Sequence, residues 1–155
     1  MNFYEGKLSA RGIKLAIVIS KFNSFIGDRL LDGAHEAFYQ LGGEEDDLDV
    51  YKVPGSYEIP GMCRRLMNMN KYDAIVCLGV IIRGQTPHFE YVASNSAKAI
   101  MELSSEGKMP VIYGIITADD MEQAIDRAGT KSGNRGYEAV TSAIEMVNLY
   151  SLIKE

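Results

Sequence analysis

Cysteine is scarce in this chain: Cys63 and Cys77 are the only two among 155 residues. They are too few and too far apart for a Cys-X-X-Cys or zinc pattern. Both sit in apolar contexts and read as small core residues of a protein kept in a reducing cytoplasm. No cluster of His, Cys, Asp and Glu has ligand spacing, so no metal is expected. A phosphate-loop signature is missing, and no Gly-X-Gly-X-X-Gly follows the first apolar strand, which argues against a nucleoside triphosphate or a dinucleotide. The longest apolar run is too short to span a bilayer. The opening Met1-Asn2-Phe3-Tyr4-Glu5-Gly6-Lys7 has no cationic head followed by an apolar stretch, so no secretory leader is expected. Positive charge is in deficit, with a net −5, which argues against a broad nucleic-acid footprint. The acid gathers at Glu44-Glu45-Asp46-Asp47 and Asp49 and reads as a solvated loop. Linkers, repeats and low-complexity tracts are missing too, and the length suits one domain over 1–155.

What is present is a strict alternation of strands and helices. Apolar runs at Lys14–Ile19, Leu48–Val53, Ala74–Ile82 and Val111–Ile116 predict four strands. Helical spacing predicts helices over about 25–41, with Ile26, Leu30, Ala34, Ala37 and Leu41 on one face, then 58–69, 87–105, 121–128 and 135–152. Gly42-Gly43 stops the first helix, Asp119 or Asp120 caps the fourth, and Thr86 with Pro87 reads as N-cap and first helical residue of the third. Such alternation implies a parallel sheet with helices on both faces, a three-layer αβα sandwich.

The unusual residues all follow strands, and ligands in open α/β sheets bind outside the strand carboxyl ends. Phe22 is either a core aromatic or, in the polar turn Lys21-Phe22-Asn23, a surface for a planar ring. Glu58 either favours a helix dipole or, beside Ser56, holds a polyhydroxy chain. His88, at a helix start just past a buried strand, is either a surface histidine or a proton carrier next to an anion seat. A neutral His88 suits the helix start, while Glu90 nearby opposes that. Arg127 either complements a helix C-terminus or grips phosphate, and Lys131 and Arg135 make its loop basic. His35, within a helix beside Leu31 and Phe38, reads as structural or interfacial.

Five segments carry a resemblance to a known family: Lys21-Phe22-Asn23; Val53-Pro54-Gly55-Ser56-Tyr57-Glu58-Ile59-Pro60; Leu78-Gly79-Val80-Ile81-Ile82-Arg83-Gly84-Gln85-Thr86-Pro87-His88-Phe89; Glu122-Gln123-Ala124-Ile125; and Arg127-Ala128-Gly129-Thr130-Lys131-Ser132-Gly133-Asn134-Arg135-Gly136. In this order they resemble the lumazine synthases over nearly the whole chain. The resemblance implies a flavodoxin-like fold and a condensation of 5-amino-6-(D-ribitylamino)uracil with 3,4-dihydroxy-2-butanone 4-phosphate. No metal or redox cofactor is implied. By motif match Phe22 stacks on the pyrimidine, Ser56, Tyr57 and Glu58 line the ribityl chain, and Val80, Ile81 and Ile82 line the ring. Gln85, Thr86 and Arg127 hold the butanone phosphate, with Arg135 adding positive charge. His88 carries protons, and Tyr113 contacts substrate from a neighbouring subunit.

Departures from the commonest family pattern fall at Ser56, Tyr57, Gln85, Tyr113 and Arg135, where Ala, Phe, Ala or Glu, Phe and Lys are frequent. The resemblance also implies homopentamers, in some members closed into a sixty-subunit icosahedral shell, with an N-terminal arm (Met1–Arg11) adding a strand to a neighbour's sheet and riboflavin synthase as a partner. The wide apolar stripe of the last helix, with Tyr137, Val140, Ile144 and Val147, suits helix packing between subunits or a helix half-buried in its own domain. No insertion lengthens Gly129–Gly136, which leans toward the shell. A riboflavin synthase on the same fold, an inactive flavin or lumazine binder and a container protein remain as alternatives; His88 together with Arg127 argues against the last two.

Overall fold

The computed structural model describes residues 1–129 and 133–153. The reading of Lys131 therefore lies outside the described residues. Four strands, β1 (Leu15–Ser20), β2 (Leu48–Val53), β3 (Ala74–Ile82) and β4 (Val111–Ala118), form one parallel sheet in the order β2-β1-β3-β4. In register, Ile17 lies between Val50 and Val76, and Cys77 lies beside Tyr113. Every residue of β1 is buried, whereas β2 is an edge strand with Val50 41% exposed, which explains its weaker apolar pattern.

Alternate side chains of the sheet face two helical layers. Leu15, Ile17, Ile19, Leu78 and Val80 pack under α1 (Ser24–Gln40) and α5 (Arg135–Leu152), through Ile26, Leu30 and Phe38 of the first and Val140 and Ile144 of the second. Ala16, Val18, Ile75 and Cys77 pack under α2 (Ile59–Met67) and α3 (His88–Ser105), through Ile59, Cys63, Leu66, Ile100 and Leu103. The short α4 (Met121–Arg127) adds Ala124 to the first layer. This is the three-layer αβα architecture of flavodoxin-like proteins. Cys63 and Cys77 are fully buried free thiols with sulfurs 3.4 Å apart. The hydrogen bond shared with Cys63 and burial push the Cys77 thiol well above its usual pKa.

The local signals act as their chemistry requires. Gly42 takes φ +96°, its N–H meets Tyr39 O and that of Gly43 meets Phe38 O, so α1 ends in a Schellman motif. Asp120 caps α4 by accepting from Gln123 N at 2.9 Å. Asn134 caps α5 by accepting from the N–H groups of Gly136 and Tyr137, while its Nδ2 donates to Arg29 O and Ala128 O. The reading of Thr86 as N-cap is corrected. Pro87 holds that position at φ −69°, its carbonyl accepts from Glu90 N at 3.0 Å, and no side chain caps the helix, so His88 is the first helical residue. Strand β4 runs two residues past its expected end, because Thr117 and Ala118 still pair with Ile81 and Ile82. The N-terminal arm is tied to its own α5 by Asn148 Nδ2, which donates to Lys7 O and Ser9 O, and Gly6 lies so close that an added Cβ would fall 1.9 Å from Glu145 O. Met1, Phe3 and Tyr4 remain exposed.

Candidate active site

The β1-β3 pair is the switch point of the sheet, where successive connections leave in opposite directions and a crevice opens at the carboxyl ends. Three turns line it. In the first, Asn23 adopts the left-handed conformation at φ 58°, which asparagine tolerates, and its Nδ2 donates to Val80 O at 3.2 Å. That bond ties the turn after β1 to the end of β3 and presents Phe22 with 69% of its surface exposed. In the second, Ser56–Glu58 form one turn of 3₁₀ helix after β2, with Ser56 buried and Tyr57 and Glu58 exposed. Gly55 lets the Phe22 ring approach its backbone: an added Cβ would lie 3.0 Å from the ring. Gly79 similarly makes room for two hydroxyls, since a Cβ there would lie 2.8 Å from Ser20 Oγ and 2.9 Å from Ser56 Oγ.

The third turn runs from Ile82 through Gly84, Gln85 and Thr86 to His88. An open hollow of about 240 Å³ is lined by Phe22, Asn23, Ser56, Val80, Ile81, Ile82, Gly84, Thr86, His88, Phe89 and Val92. A second hollow of about 510 Å³ continues it past Phe22 and His88 to Gly55, Tyr57 and Glu58. Of the residues read from sequence, the structure therefore brings together Phe22, Ser56, Tyr57, Glu58, Val80, Ile81, Ile82, Thr86 and His88. Gln85 is exposed on the same turn and lines neither hollow. Asn23 and Gly84, read from sequence as strand-end turn residues without a binding role, join the groove, as do Phe89 and Val92. For Asn23 the available signal was an asparagine between a strand and a helix, a place suited to positive φ.

Tyr113 and Arg127 stand apart. Tyr113 is in the middle of β4, 38% exposed on the α2-α3 side, and burial raises its phenol pKa, so it is neutral near pH 7. Arg127, at the end of α4, donates Nη1 to Thr117 O at 2.6 Å. Arg135 lies 3.6 Å from Glu138 at the start of α5. Glu90 is held by Arg83, whose Nη1 lies 2.9 Å from it, while Arg83 Nε donates to Asp119 Oδ1 at 3.0 Å. The Asp119 and Glu90 bonds, in that order, raise the Arg83 pKa. Among the described residues no group of three or more His, Cys, Asp or Glu is placed to hold a metal, and no helix is long and apolar enough to cross a membrane.

The sequence also matches known proteins. A family model described as 6,7-dimethyl-8-ribityllumazine synthase matches residues 12–151. Proteins of that name from two strains of Clostridium kluyveri are each 50% identical over 149 residues, covering 96% of this chain and 97% of theirs. A de novo designed Rossmann fold protein superposes with a TM-score of 0.41 at 14% identity over 77% of this chain and all of its own, a likeness too slight to carry weight. With a family match across 12–151 and half-identical relatives along nearly its full length, the chain belongs to the 6,7-dimethyl-8-ribityllumazine synthase family.

Proposed function

We propose that this chain condenses 5-amino-6-(D-ribitylamino)uracil with 3,4-dihydroxy-2-butanone 4-phosphate to give 6,7-dimethyl-8-ribityllumazine, phosphate and water, the penultimate step of riboflavin biosynthesis. The observation that carries the reading is the groove itself: an exposed Phe22 ring and His88 line both of its hollows, at the switch point of the sheet. The pyrimidine stacks on Phe22, with its polar edge toward the backbone of Val80, Ile81 and Ile82. The ribityl chain runs into the second hollow, where Ser56, Tyr57 and Glu58 offer hydroxyl, phenol and carboxylate partners. The butanone phosphate sits at the turn of Gln85 and Thr86, where the N–H groups opening α3 favour an anion.

The amine attacks the ketone and water leaves to form an imine, phosphate is then eliminated, and ring closure expels a second water. His88 carries protons between these steps. Much of the acceleration comes from holding two substrates in register, which suits a groove with few titratable groups. The groove-lining residues include no arginine or lysine among the described residues, although one substrate carries a phosphate. Arg127 and Tyr113 complete the site from a neighbouring subunit, each subunit acting as a one-domain unit of a homopentamer, with twelve pentamers able to close a shell. The N-terminal arm adds its strand to the neighbour's sheet, the protein works in the cytoplasm, and riboflavin synthase is its partner.

The test is incubation with both substrates. Appearance of lumazine absorbance supports the reading. Conversion of lumazine to riboflavin, without lumazine formation, identifies instead a riboflavin synthase on the same fold.

A further inference from the structure

We propose that Arg83 is a positioning residue that offsets part of the charge of two carboxylates near the anion end of the groove while fixing the turn that presents His88; the inference rests on the proposed phosphate-bearing substrate. Arg83 is the first residue beyond β3. Its backbone N–H donates to Ala118 O at 2.9 Å, the last residue of β4, so its start point is fixed by the sheet. Its guanidinium then meets two carboxylates from two other elements. Nε donates to Asp119 Oδ1 at 3.0 Å, just past β4, and Nη1 donates to Glu90 Oε1 at 2.9 Å, in the first turn of α3. The same group lies 4.7 Å over the ring of Phe89, which lines the groove.

The arrangement answers an electrostatic conflict. Glu90 suits the start of α3, because a carboxylate there favours the helix dipole. A phosphate at Gln85 and Thr86 would seek the same N–H groups and would be repelled by Glu90, with Asp119 adding to the repulsion. A cation bonded to both carboxylates offsets one of their two negative charges, which lowers that penalty and leaves the helix start intact. Arginine suits the task because its planar fork offers separate N–H groups to separate acceptors, whereas lysine is a single point charge. The three side chains are about half exposed or more, so water and salt moderate each pair. The function lies in where the charge is placed and not in stability.

The experiment compares wild type, Arg83→Gln, Arg83→Lys and the triple variant Arg83→Gln/Glu90→Gln/Asp119→Asn. Calorimetry gives the affinity for inorganic phosphate, and steady-state kinetics gives KM for each substrate. Arg83→Gln is expected to weaken phosphate binding and raise the KM for the butanone phosphate about tenfold, with the pyrimidine KM nearly unchanged. Arg83→Lys keeps the charge and most of the affinity. The triple variant returns both values to within about threefold of wild type, because the carboxylates that required neutralising are gone. An unchanged Arg83→Gln, an equal rise for both substrates, or a triple variant as weak as Arg83→Gln overturns the proposal. Should Arg83→Gln fail to assemble, Glu90→Gln/Asp119→Asn decides: with Arg83 then uncompensated, phosphate binds about threefold tighter, and unchanged or weaker binding overturns the proposal. A wild type that binds phosphate in this Arg83-dependent way yet forms no lumazine sinks the condensation and leaves the role of Arg83 standing.

Discussion

The two halves of the proposed site are built differently. The half drawn from the ends of β1, β2 and β3 converges within one chain: the Asn23 bond to Val80, the close approach of Phe22 to Gly55 and the packing of the Ser20 and Ser56 hydroxyls against Gly79 set three turns around one groove. The half drawn from β4 and α4 does not. Tyr113 sits in the middle of an edge strand, and Arg127 turns to Thr117 O. The first half is rich in surfaces for flat and hydroxylated groups, while the second holds the cation that the proposed function assigns to the phosphate. On the proposed reading, a site divided by chemistry in this way requires one copy's β4 edge to meet another copy's groove, which would tie catalysis to a head-to-tail ring.

The sharpest way to break this contrast is complementation. Rings of His88→Ala and rings of Arg127→Ala are each expected to be nearly inactive. Co-assembled in equal amounts, they are expected to regain about a quarter of the sites, since random neighbours pair an intact His88 with an intact Arg127 that often. Mixing after assembly should restore little unless subunits exchange. Verified mixed rings as inactive as the parents would place both residues within one chain's site.

Taken singly, the two variants separate chemistry from binding. For His88→Ala turnover is expected to fall by about 100-fold or less, the low end for a proton carrier, with substrate affinity largely retained. Wild-type turnover between pH 6 and 8, read by stopped-flow absorbance, would reject the role. For Arg127→Ala the KM of the butanone phosphate is expected to rise about ten- to 100-fold, as for loss of a charge-assisted hydrogen bond, while that of the pyrimidine barely moves. Equal weakening of both would make Arg127 a brace for the end of α4.

Smaller effects sharpen the boundary between the halves. Phe22→Ala is expected to raise the pyrimidine KM about threefold to tenfold through loss of stacking, leaving the phosphate substrate alone. Tyr113→Phe removes only a hydroxyl and is expected to change either KM by less than about threefold. A larger loss would mean that the phenol oxygen itself binds substrate.

Much of this was legible in the sequence because the buried strands advertise themselves. β3 and α5 were read to the residue, β3 since a strand covered on both faces is continuously apolar and α5 since its helical period is long and starts just after Gly133. The misreadings are local. Thr86-Pro87 has the composition of a cap, but Pro87 already sits in helical conformation and leaves the threonine hydroxyl no role there. Thr117 ended β4 on paper because it is polar, yet its backbone still pairs with β3. For the site, strand-end residues were found because topology gathers them. Topology does not tell which partner each strand-end residue meets: Asp119 bonds Arg83 and lines neither hollow itself.

The buried thiols make the sheet its own witness. Cys63 and Cys77 face each other across the junction of α2 and the central strand β3, with no surface in contact with solvent. An alkylating reagent reaches Cys77 only when that layer parts, so the rate at which thiols are capped in the otherwise intact protein counts openings of its middle. An unmutated chain thus carries a stopwatch for its own breathing, read by mass alone.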